Sequence, residues 1–243
     1  MEIVKGKVNR GRISVVYGPH GVGKTTFACE FPKPLVIDIE NGCADLDVDR
    51  TPHIQTYEDL IEALKWFYAE GGKEYKTLVI DSVDHAEMLI HRHICKEAKV
   101  DALGDIEWGK GKQRAMKRFG DLLHMIALIR DMHGVEVVMI AHDDIRRVED
   151  PEVQSYDRHE PKTIVKDASQ LLCEWADEVL YAHHSVRVKS ETGAFGKQST
   201  RALERTERLL RSVYKPTVIA KNRLGMEDVI DFSFEAYAGY RNF

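Results

Sequence analysis

The chain has 243 residues, of which 43% are hydrophobic and 31% charged, and its formal net charge is −5 at pH 7. This length and apolar fraction suffice for a large domain with a substantial core, and the acidic balance excludes general attraction to nucleic acid. The chain has no apolar run near the ~18 residues of a membrane span, no apolar N-terminal signal and no CxxC pair, so we expect a cytoplasmic protein with no membrane partner.

Predicted strands and helices alternate along the chain. Short apolar runs rich in β-branched residues predict buried strands, and segments with helical periodicity lie between them. The predicted strands are 13–17, 35–39, 77–80, 135–141, 178–189 and 216–221. The predicted helices are 25–31, 57–69, 83–99, 113–133 and 168–176. The polar segments at about 101–112, 143–166 and 190–200 are predicted to be mobile loops.

This alternation predicts an α/β fold with a mostly parallel, twisted sheet and helices on both faces. The predicted strands are apolar throughout rather than alternating, which is typical of strands that are buried on both sides. The sequence has no internal repeat and no clear interdomain linker. We therefore expect one domain over residues 1–243.

A phosphate-binding motif lies between the first predicted strand and the first predicted helix. Residues 18–25 match the pattern GxxxxGK[ST] in full. Glycines let backbone N–H groups curl around a phosphate, and the start of the helix adds partial positive charge. Lys24 would reach the β- and γ-phosphates of ATP, and the Thr25 hydroxyl would bind Mg²⁺. The predicted nucleotide-binding residues are Gly18, Pro19, His20, Gly21, Val22, Gly23, Lys24, Thr25 and Thr26.

A candidate second ligand for Mg²⁺ is Asp81, which follows the apolar strand 77–80. A carboxylate at this point of a P-loop protein binds the metal directly or through water. We expect its strand to neighbour the strand of the phosphate loop. The structural alternative is an Asp that caps the following helix.

Several segments taken together resemble the RecA-type recombinase superfamily. Residues 36–40 resemble the strand that carries its catalytic glutamate, and residues 78–83 resemble its Walker B strand with an Asp-Ser pair. Residues 139–142 resemble the strand that ends in a γ-phosphate sensor, and residues 217–223 resemble the closing strand with its pair of cations. The chain looks most like phage-encoded RecA-like core ATPases of single-strand annealing and recombination. The resemblance spans about residues 10–235 and implies a RecA-like fold.

The resemblance also implies roles for four residues outside the phosphate loop. Glu40 would orient or deprotonate the attacking water, and His142 would contact the γ-phosphate. Lys221 and Arg223 would reach the ATP of a neighbouring subunit, so that hydrolysis needs an oligomer, either a ring or a filament. The structural alternatives are a solvated glutamate, a strand-end histidine bonded to backbone, and cations that protect an exposed edge strand.

RecA-type proteins bind DNA through loops after the Walker B region and the sensor strand, here about residues 101–118 and 143–166. Residues 107–118 contain five cations, one carboxylate and a tryptophan, a composition that suits single-stranded DNA. Residues 143–166 contain seven carboxylates against five cations, whereas residues 187–215 contain eight cations against three carboxylates. The alternative for residues 107–118 is a solvated helix start with a core tryptophan, and the alternative for residues 187–215 is a charged surface face. The candidate DNA contacts are Trp108, Lys110, Lys112, Arg114, Arg146, Arg147 and Lys197.

The leading hypothesis is a DNA-stimulated ATPase that binds single-stranded DNA as an oligomer and promotes annealing or homologous recombination. A single-strand-binding protein is a further partner in this hypothesis. The alternatives are a helicase-type motor or another P-loop enzyme, and a nucleotide-dependent switch that binds partner proteins. DNA-stimulated hydrolysis, directional unwinding, phosphate transfer to a metabolite and absence of DNA binding at low salt separate these alternatives.

Overall fold

The structure is a computed structural model that describes residues 3, 5–6, 10–192 and 198–241, of which 186–192 and 198–206 are described by their backbone alone. The strands are β1 (Ile13–Gly18), β2 (Pro34–Asp38), β3 (Asp49–Arg50), β4 (Thr77–Asp81), β5 (Glu136–Val148), β6 (Tyr156–Pro161), β7 (Glu178–Thr192), β8 (Gln198–Arg211) and β9 (Val229–Asp231). The α-helices are α1 (Lys24–Cys29), α2 (Tyr57–Trp66), α3 (Gly72–Glu74), α4 (Val83–Ala98), α5 (Lys110–His133), α6 (Lys166–Trp175) and α7 (Phe234–Ala238).

The sheet has the strand order β3-β2-β4-β5-β1-β7-β8-β9, and β6 pairs with the outer part of β5. The first six strands in this order are mutually parallel, whereas β8 and β9 are antiparallel to their neighbours. The predicted mostly parallel α/β sheet is therefore confirmed. The expectation that the strand of Asp81 neighbours the strand of the phosphate loop is wrong, because β5 lies between β4 and β1.

The central strand β1 separates two hydrophobic cores. Ile13, Val15 and Tyr17 pack on the face that is covered by α2, α4, α5 and α6. Val16 points to the opposite face, where it lies in one core with Phe27 of α1 and apolar side chains of α7. Because alternate side chains of a strand point to opposite faces, burial on both sides requires a continuous apolar run.

Local sequence signals explain where helix α2 begins and where helix α5 ends. Thr56 caps α2 by accepting a hydrogen bond from the Asp59 N–H, and the Asp59 carboxylate accepts from the Thr56 N–H in return. Helix α5 ends at His133 and is capped by Gly134, whose positive φ of 66° is readily adopted by glycine. This end directs the chain into the start of β5.

Three segments differ from the sequence-based prediction. Residues 143–166 are not one loop, because β5 continues to Val148 and forms a hairpin with β6. Residues 101–112 contain two 3-10 turns, Leu103–Asp105 and Glu107–Gly109, and the first residues of α5. Residues 216–221 form only isolated bridges at Val218 and Lys221 rather than a strand. Charged side chains along the first segment concealed its pairing, whereas the apolar run at residues 218–220 favoured a strand in the last.

The predicted loop at 190–200 includes the last residues of β7 and the first residues of β8, which pair as a long antiparallel hairpin. The two strands pair from Tyr181 with Arg211 out to Thr192 with Gln198, with register shifts between His184 and Val188. Residues 193–197 lie outside the described residues. Among the helices that the structure describes, none combines the length and the apolar character of a membrane span.

Candidate functional site

The phosphate loop follows β1 and leads directly into α1. Gly18 ends β1 against β7, where a Cβ would lie 2.0 Å from the Ala182 carbonyl oxygen, so no other residue fits without moving a strand. Gly23 has a φ of 104°, which strains any residue with a Cβ. The glycines of the motif thus serve the tight turn that the sequence predicted, and they bring Lys24 and Thr25 to the first turn of α1.

Lys24 is enclosed by the loop that it would serve. Its Nζ donates hydrogen bonds to the carbonyl oxygens of Gly18 at 2.9 Å and Pro19 at 3.0 Å. Burial lowers the pKa of this ammonium, while the negative charges of Glu40 and Asp81 act in the opposite direction. A buried cation held inside a loop of backbone amides is suited to bind an anion that enters the loop.

The two predicted metal ligands contact each other. The Thr25 hydroxyl donates a hydrogen bond of 2.8 Å to Asp81 Oδ2, and Asp81 Oδ1 is buried with no hydrogen-bond partner among the described residues. Burial raises the pKa of Asp81 to about 6, and the hydrogen bond from Thr25 opposes that rise. A hydroxyl and a carboxylate with an unused oxygen are hard oxygen ligands, so these residues fit Mg²⁺.

Glu40 and His142 lie together beside this pair. His142 Nε2 is 3.5 Å from Glu40 Oε1, and the His142 ring stacks on His20 of the phosphate loop with centroids 4.0 Å apart. The positive charge of His142 is the largest cause that lowers the pKa of His20, followed by burial. The predicted catalytic glutamate, the predicted sensor and the loop histidine therefore form one cluster.

Two further members of this cluster were missed by the sequence analysis. Asp84, in the first turn of α4, accepts a hydrogen bond from His142 Nδ1 at 2.8 Å. His85 Nδ1 lies 3.9 Å from Glu40 Oε2 and accepts or donates a hydrogen bond at 2.8 Å with the Ser82 hydroxyl. The spacing Asp81, Asp84 and His85 is visible in the sequence. Nothing in the sequence shows that the first turn of α4 lies next to His142 of β5.

Asp84 holds one ring nitrogen of His142 so that the other faces Glu40. Burial raises the pKa of Asp84, but the hydrogen bond and the positive charge of His142 outweigh burial and lower it to about 2. Asp84 is therefore ionised at neutral pH and accepts the Nδ1 proton. The arrangement is that of a carboxylate that fixes the orientation of a histidine ring.

Lys221 and Arg223 lie away from the phosphate loop of their own chain. Lys221 pairs with Val179 near the start of β7, and Val179 pairs with Val15, three residues before β1 ends. Lys221 Nζ donates to the carbonyl oxygens of Cys173 at 2.7 Å and Glu174 at 3.2 Å. Arg223 Nη1 lies 3.0 Å from Asp177, and its side chain is 58% exposed. A role in the site of another subunit stays a prediction.

The first candidate DNA segment is an exposed surface. Trp108 is 89% exposed in a left-handed backbone conformation, with a φ of 50°. The alternative of a core tryptophan is thus excluded. Lys110, Lys112 and Arg114 are exposed in the first turns of α5, and among the described residues only Lys110 has an ion-pair partner, at 3.4 Å from Glu107. We call these four residues the α5 entry surface.

The two candidate contacts in the second segment differ in accessibility. Arg146 is enclosed by Asp144 at 2.9 Å, Glu160 at 3.0 Å and the Thr163 carbonyl oxygen at 2.6 Å, with 16% of its side chain exposed. Arg147 is 59% exposed. A guanidinium that is already saturated by carboxylates has little capacity for phosphate. Lys197 lies outside the described residues.

A family model, a curated protein and a solved structure are similar to this chain. A model of the AAA domain family AAA_24 matches residues 10–224. The SPbeta prophage-derived uncharacterized protein YorG of Bacillus subtilis (strain 168) is 26% identical over 137 residues, which are 54% of this chain and 41% of YorG. The chain therefore spans less than half the length of this curated relative.

A crystal structure of the RadB recombinase superposes with a TM-score of 0.50 at 11% sequence identity, covering 95% of this chain and 91% of that chain. At this identity the similarity concerns the fold alone. The family model covers most of the chain and includes the phosphate loop, Glu40, Asp81 and His142. The chain belongs to the AAA domain family and carries its phosphate-binding loop in a RecA-like fold.

Proposed function

We propose that this protein is an ATP-dependent, single-stranded DNA-binding protein that acts as an oligomer in annealing or homologous recombination. The observation that carries the proposal is the combination of two candidate sites, one for a nucleotide and one for DNA. A partly buried cluster of Thr25, Asp81, Glu40 and His142 lies at the phosphate loop. A separate exposed tryptophan lies among cations at the start of α5. The RecA-like fold, the structural similarity to the RadB recombinase and the sequence similarity to prophage-derived YorG support this choice.

In the proposed hydrolysis, each residue of the cluster has one task. Lys24 releases the loop carbonyls and binds the β- and γ-phosphate oxygens. Glu40 orients the attacking water and accepts its proton, because its carboxylate faces the same space as His142 Nε2. Thr25 and Asp81 would hold Mg²⁺, which would supply neutralisation of the phosphate charge. His142, fixed by Asp84, donates Nε2–H to the γ-phosphate while that phosphate is present.

Hydrogen bonds and a shared cavity connect His142 with Lys112 of the α5 entry surface. The Lys162 N–H donates to the His142 carbonyl oxygen at 2.8 Å, so the segment after β6 is attached to the end of the sensor strand. Glu87 of α4 accepts from the N–H groups of Ile164 at 2.6 Å and Val165 at 2.9 Å. Ile164, Val165 and Lys112 line one open cavity of about 540 Å³.

This route supports a coupling between nucleotide and DNA. A shift of His142 on loss of the γ-phosphate would move residues 162–165, which form a wall of the cavity that Lys112 also lines. DNA bound at the α5 entry surface would reach the same cavity from outside. The coupling is reciprocal, so a nucleotide that alters DNA affinity must be matched by DNA that alters nucleotide affinity.

The test measures single-stranded DNA binding with Mg²⁺ and a non-hydrolysable ATP analogue, by fluorescence anisotropy of a labelled oligonucleotide. Trp108→Ala should weaken binding by about tenfold to a hundredfold, because stacking one base on an aromatic ring contributes about 1–3 kcal/mol. Trp66→Ala is the matched control, since Trp66 is also exposed, at 46%, but lies at the end of α2. DNA-stimulated ATP hydrolysis should fall in parallel with binding.

Equal DNA affinity of the Trp108→Ala and wild-type proteins would remove the α5 entry surface from the proposal. Absence of wild-type DNA binding at low salt would overturn the DNA-binding function itself. Assembly into rings or filaments, and help from a single-strand-binding protein, remain parts of the proposal that the same DNA complexes would reveal by electron microscopy.

A further inference from the structure

Arg208 is a cation that the phosphate motif does not include but that the fold brings to it. It lies on β8, where it pairs with His184, three positions beyond the pair of Arg211 with Tyr181. Tyr181 in turn pairs with Tyr17, next to the last residue of β1. Counting along the paired strands therefore places Arg208 beyond the end of β1, at the level of the phosphate loop.

The direction of the Arg208 side chain follows from its neighbour on the strand. Leu210 is fully buried in the core between the sheet and α1, together with Phe27. Side chains two residues apart on a strand point to the same face, so Arg208 extends on the α1 side of the sheet. On that face, the residue just before α1 is Gly23.

The guanidinium reaches the phosphate loop directly. A Cβ on Gly23 would lie 2.7 Å from Arg208 Nη1 and 3.9 Å from Phe232 Cε1. The missing side chain of Gly23 is therefore what leaves room for the guanidinium. Gly23 has two reasons to be glycine, its positive φ and this close approach.

Arg208 has capacity for a ligand. It is exposed, and among the described residues no hydrogen bond or ion pair engages its guanidinium. Arg211 on the same strand differs in this respect, because its Nη1 lies 2.9 Å from both carboxylate oxygens of Asp228. A free guanidinium offers five donors in a planar fork, which matches the oxygens of a phosphate.

We propose that Arg208 binds the phosphate chain of the nucleotide in cis, as a positioning cation supplied by β8. This inference rests on the proposed ATP-binding site and adds a residue to it. Lys24 approaches the chain from inside the loop, and Arg208 approaches from the side of Gly23. Because β8 is also the returning strand of the β7–β8 hairpin, a displacement of that hairpin would move this cation relative to the phosphates.

The experiment compares the full chain with its Arg208→Ala and Arg208→Lys variants. Binding of MgATP is measured by calorimetry, and magnesium tripolyphosphate is used as a competitor that has no base or ribose. Arg92→Ala is the control, because Arg92 is an exposed arginine on α4. Thermal melting without ligand verifies that each variant is folded.

For Arg208→Ala we expect the dissociation constants of MgATP and magnesium tripolyphosphate both to rise about tenfold, as for loss of a hydrogen bond to a charged group. Arg208→Lys should recover part of the loss, and Arg92→Ala should bind as the wild type does. Unchanged MgATP affinity in Arg208→Ala would overturn the inference alone.

Weaker MgATP binding with unchanged tripolyphosphate binding would also overturn it, because Arg208 would then support the base or ribose rather than the phosphates. A wild-type protein that binds neither ligand would instead overturn the proposed ATP site together with this inference. The failures of the two proposals are thus distinguishable in one set of titrations.

Discussion

The phosphate-loop cluster and the α5 entry surface solve the problem of binding negative charge in opposite ways. In the cluster, Lys24, Asp84 and His142 are buried and held by neighbours, because loop carbonyls bind Lys24 and Asp84 binds His142. On the α5 entry surface, Lys112 and Arg114 are exposed, and no ion pair holds them within the described part of the chain. Burial fixes geometry for chemistry, whereas exposure leaves charge available to a flexible polymer.

The largest effect should come from removing the central cation of the buried region. In Lys24→Ala, we expect ATP hydrolysis below about 1% of the wild-type rate, because preorganised charges that stabilise a transition state contribute about 10²–10³-fold each. Steady-state phosphate release measures this loss. Lys65→Ala, at an exposed position on α2, serves as the control. Hydrolysis above a tenth of the wild-type rate would show that Lys24 has no such role.

A smaller effect is expected from changing Asp84, which orients His142. In Asp84→Asn, kcat should fall about tenfold to a hundredfold while ATP affinity stays within about twofold, because a positioned acid or base contributes about 10²–10⁴-fold and the asparagine still accepts one hydrogen bond. Asp121→Asn, on the exposed face of α5, is the matched control. A loss that appears only in ATP affinity would contradict the assignment of Asp84 as a positioning residue.

The same variant should change the pH dependence of stability. The folded-state pKa of Asp84 is about 2, below its ordinary value of 3.8, so its contribution is present above about pH 4 and is lost as the pH falls toward 2. A shift of this size corresponds to about 2 kcal/mol. Urea unfolding of wild type and Asp84→Asn at pH 7, 5 and 3 should show a difference that shrinks at pH 3. A constant difference would place the stabilisation elsewhere.

The smallest effect should come from one exposed cation. In Lys112→Ala, the slope of log affinity for single-stranded DNA against log salt concentration should decrease by about one unit, since one phosphate contact is removed. The affinity of the Lys65→Ala control should keep the wild-type slope. Loss of DNA affinity without a change of slope would mean that Lys112 supports the local fold rather than a phosphate.

Two parts of the site could be predicted from the sequence, the phosphate loop and the residues at the ends of predicted strands. The phosphate loop was predictable because its glycines, lysine and threonine are consecutive, and each has a local physical reason. Glu40, Asp81 and His142 were predictable as strand ends, since parallel strands in one sheet place their carboxyl ends at one edge. Asp84, His85 and Arg208 were not, because their roles depend on how α4 and β8 cross elements that are distant in the chain.

Local sequence patterns likewise could not predict the order of the strands in the sheet. Apolar runs showed which segments are strands, but the position of β5 between β1 and β4 depends on crossovers through two helices. The hairpins of β5 with β6 and of β7 with β8 were hidden in polar, charged segments, because a strand outside the core needs no apolar pattern.

The amino-acid sequence by itself determined the class of this protein and the chemistry of its phosphate loop, because backbone freedom at glycine and short-range residue order are local properties. Only the tertiary structure decided which charges meet. Asp84 meets His142 because α4 leaves β4 beside the middle of β5, and Arg208 meets Gly23 because β8 returns past the end of β1. Contacts between distant segments depend on packing and strand register, which no single segment encodes.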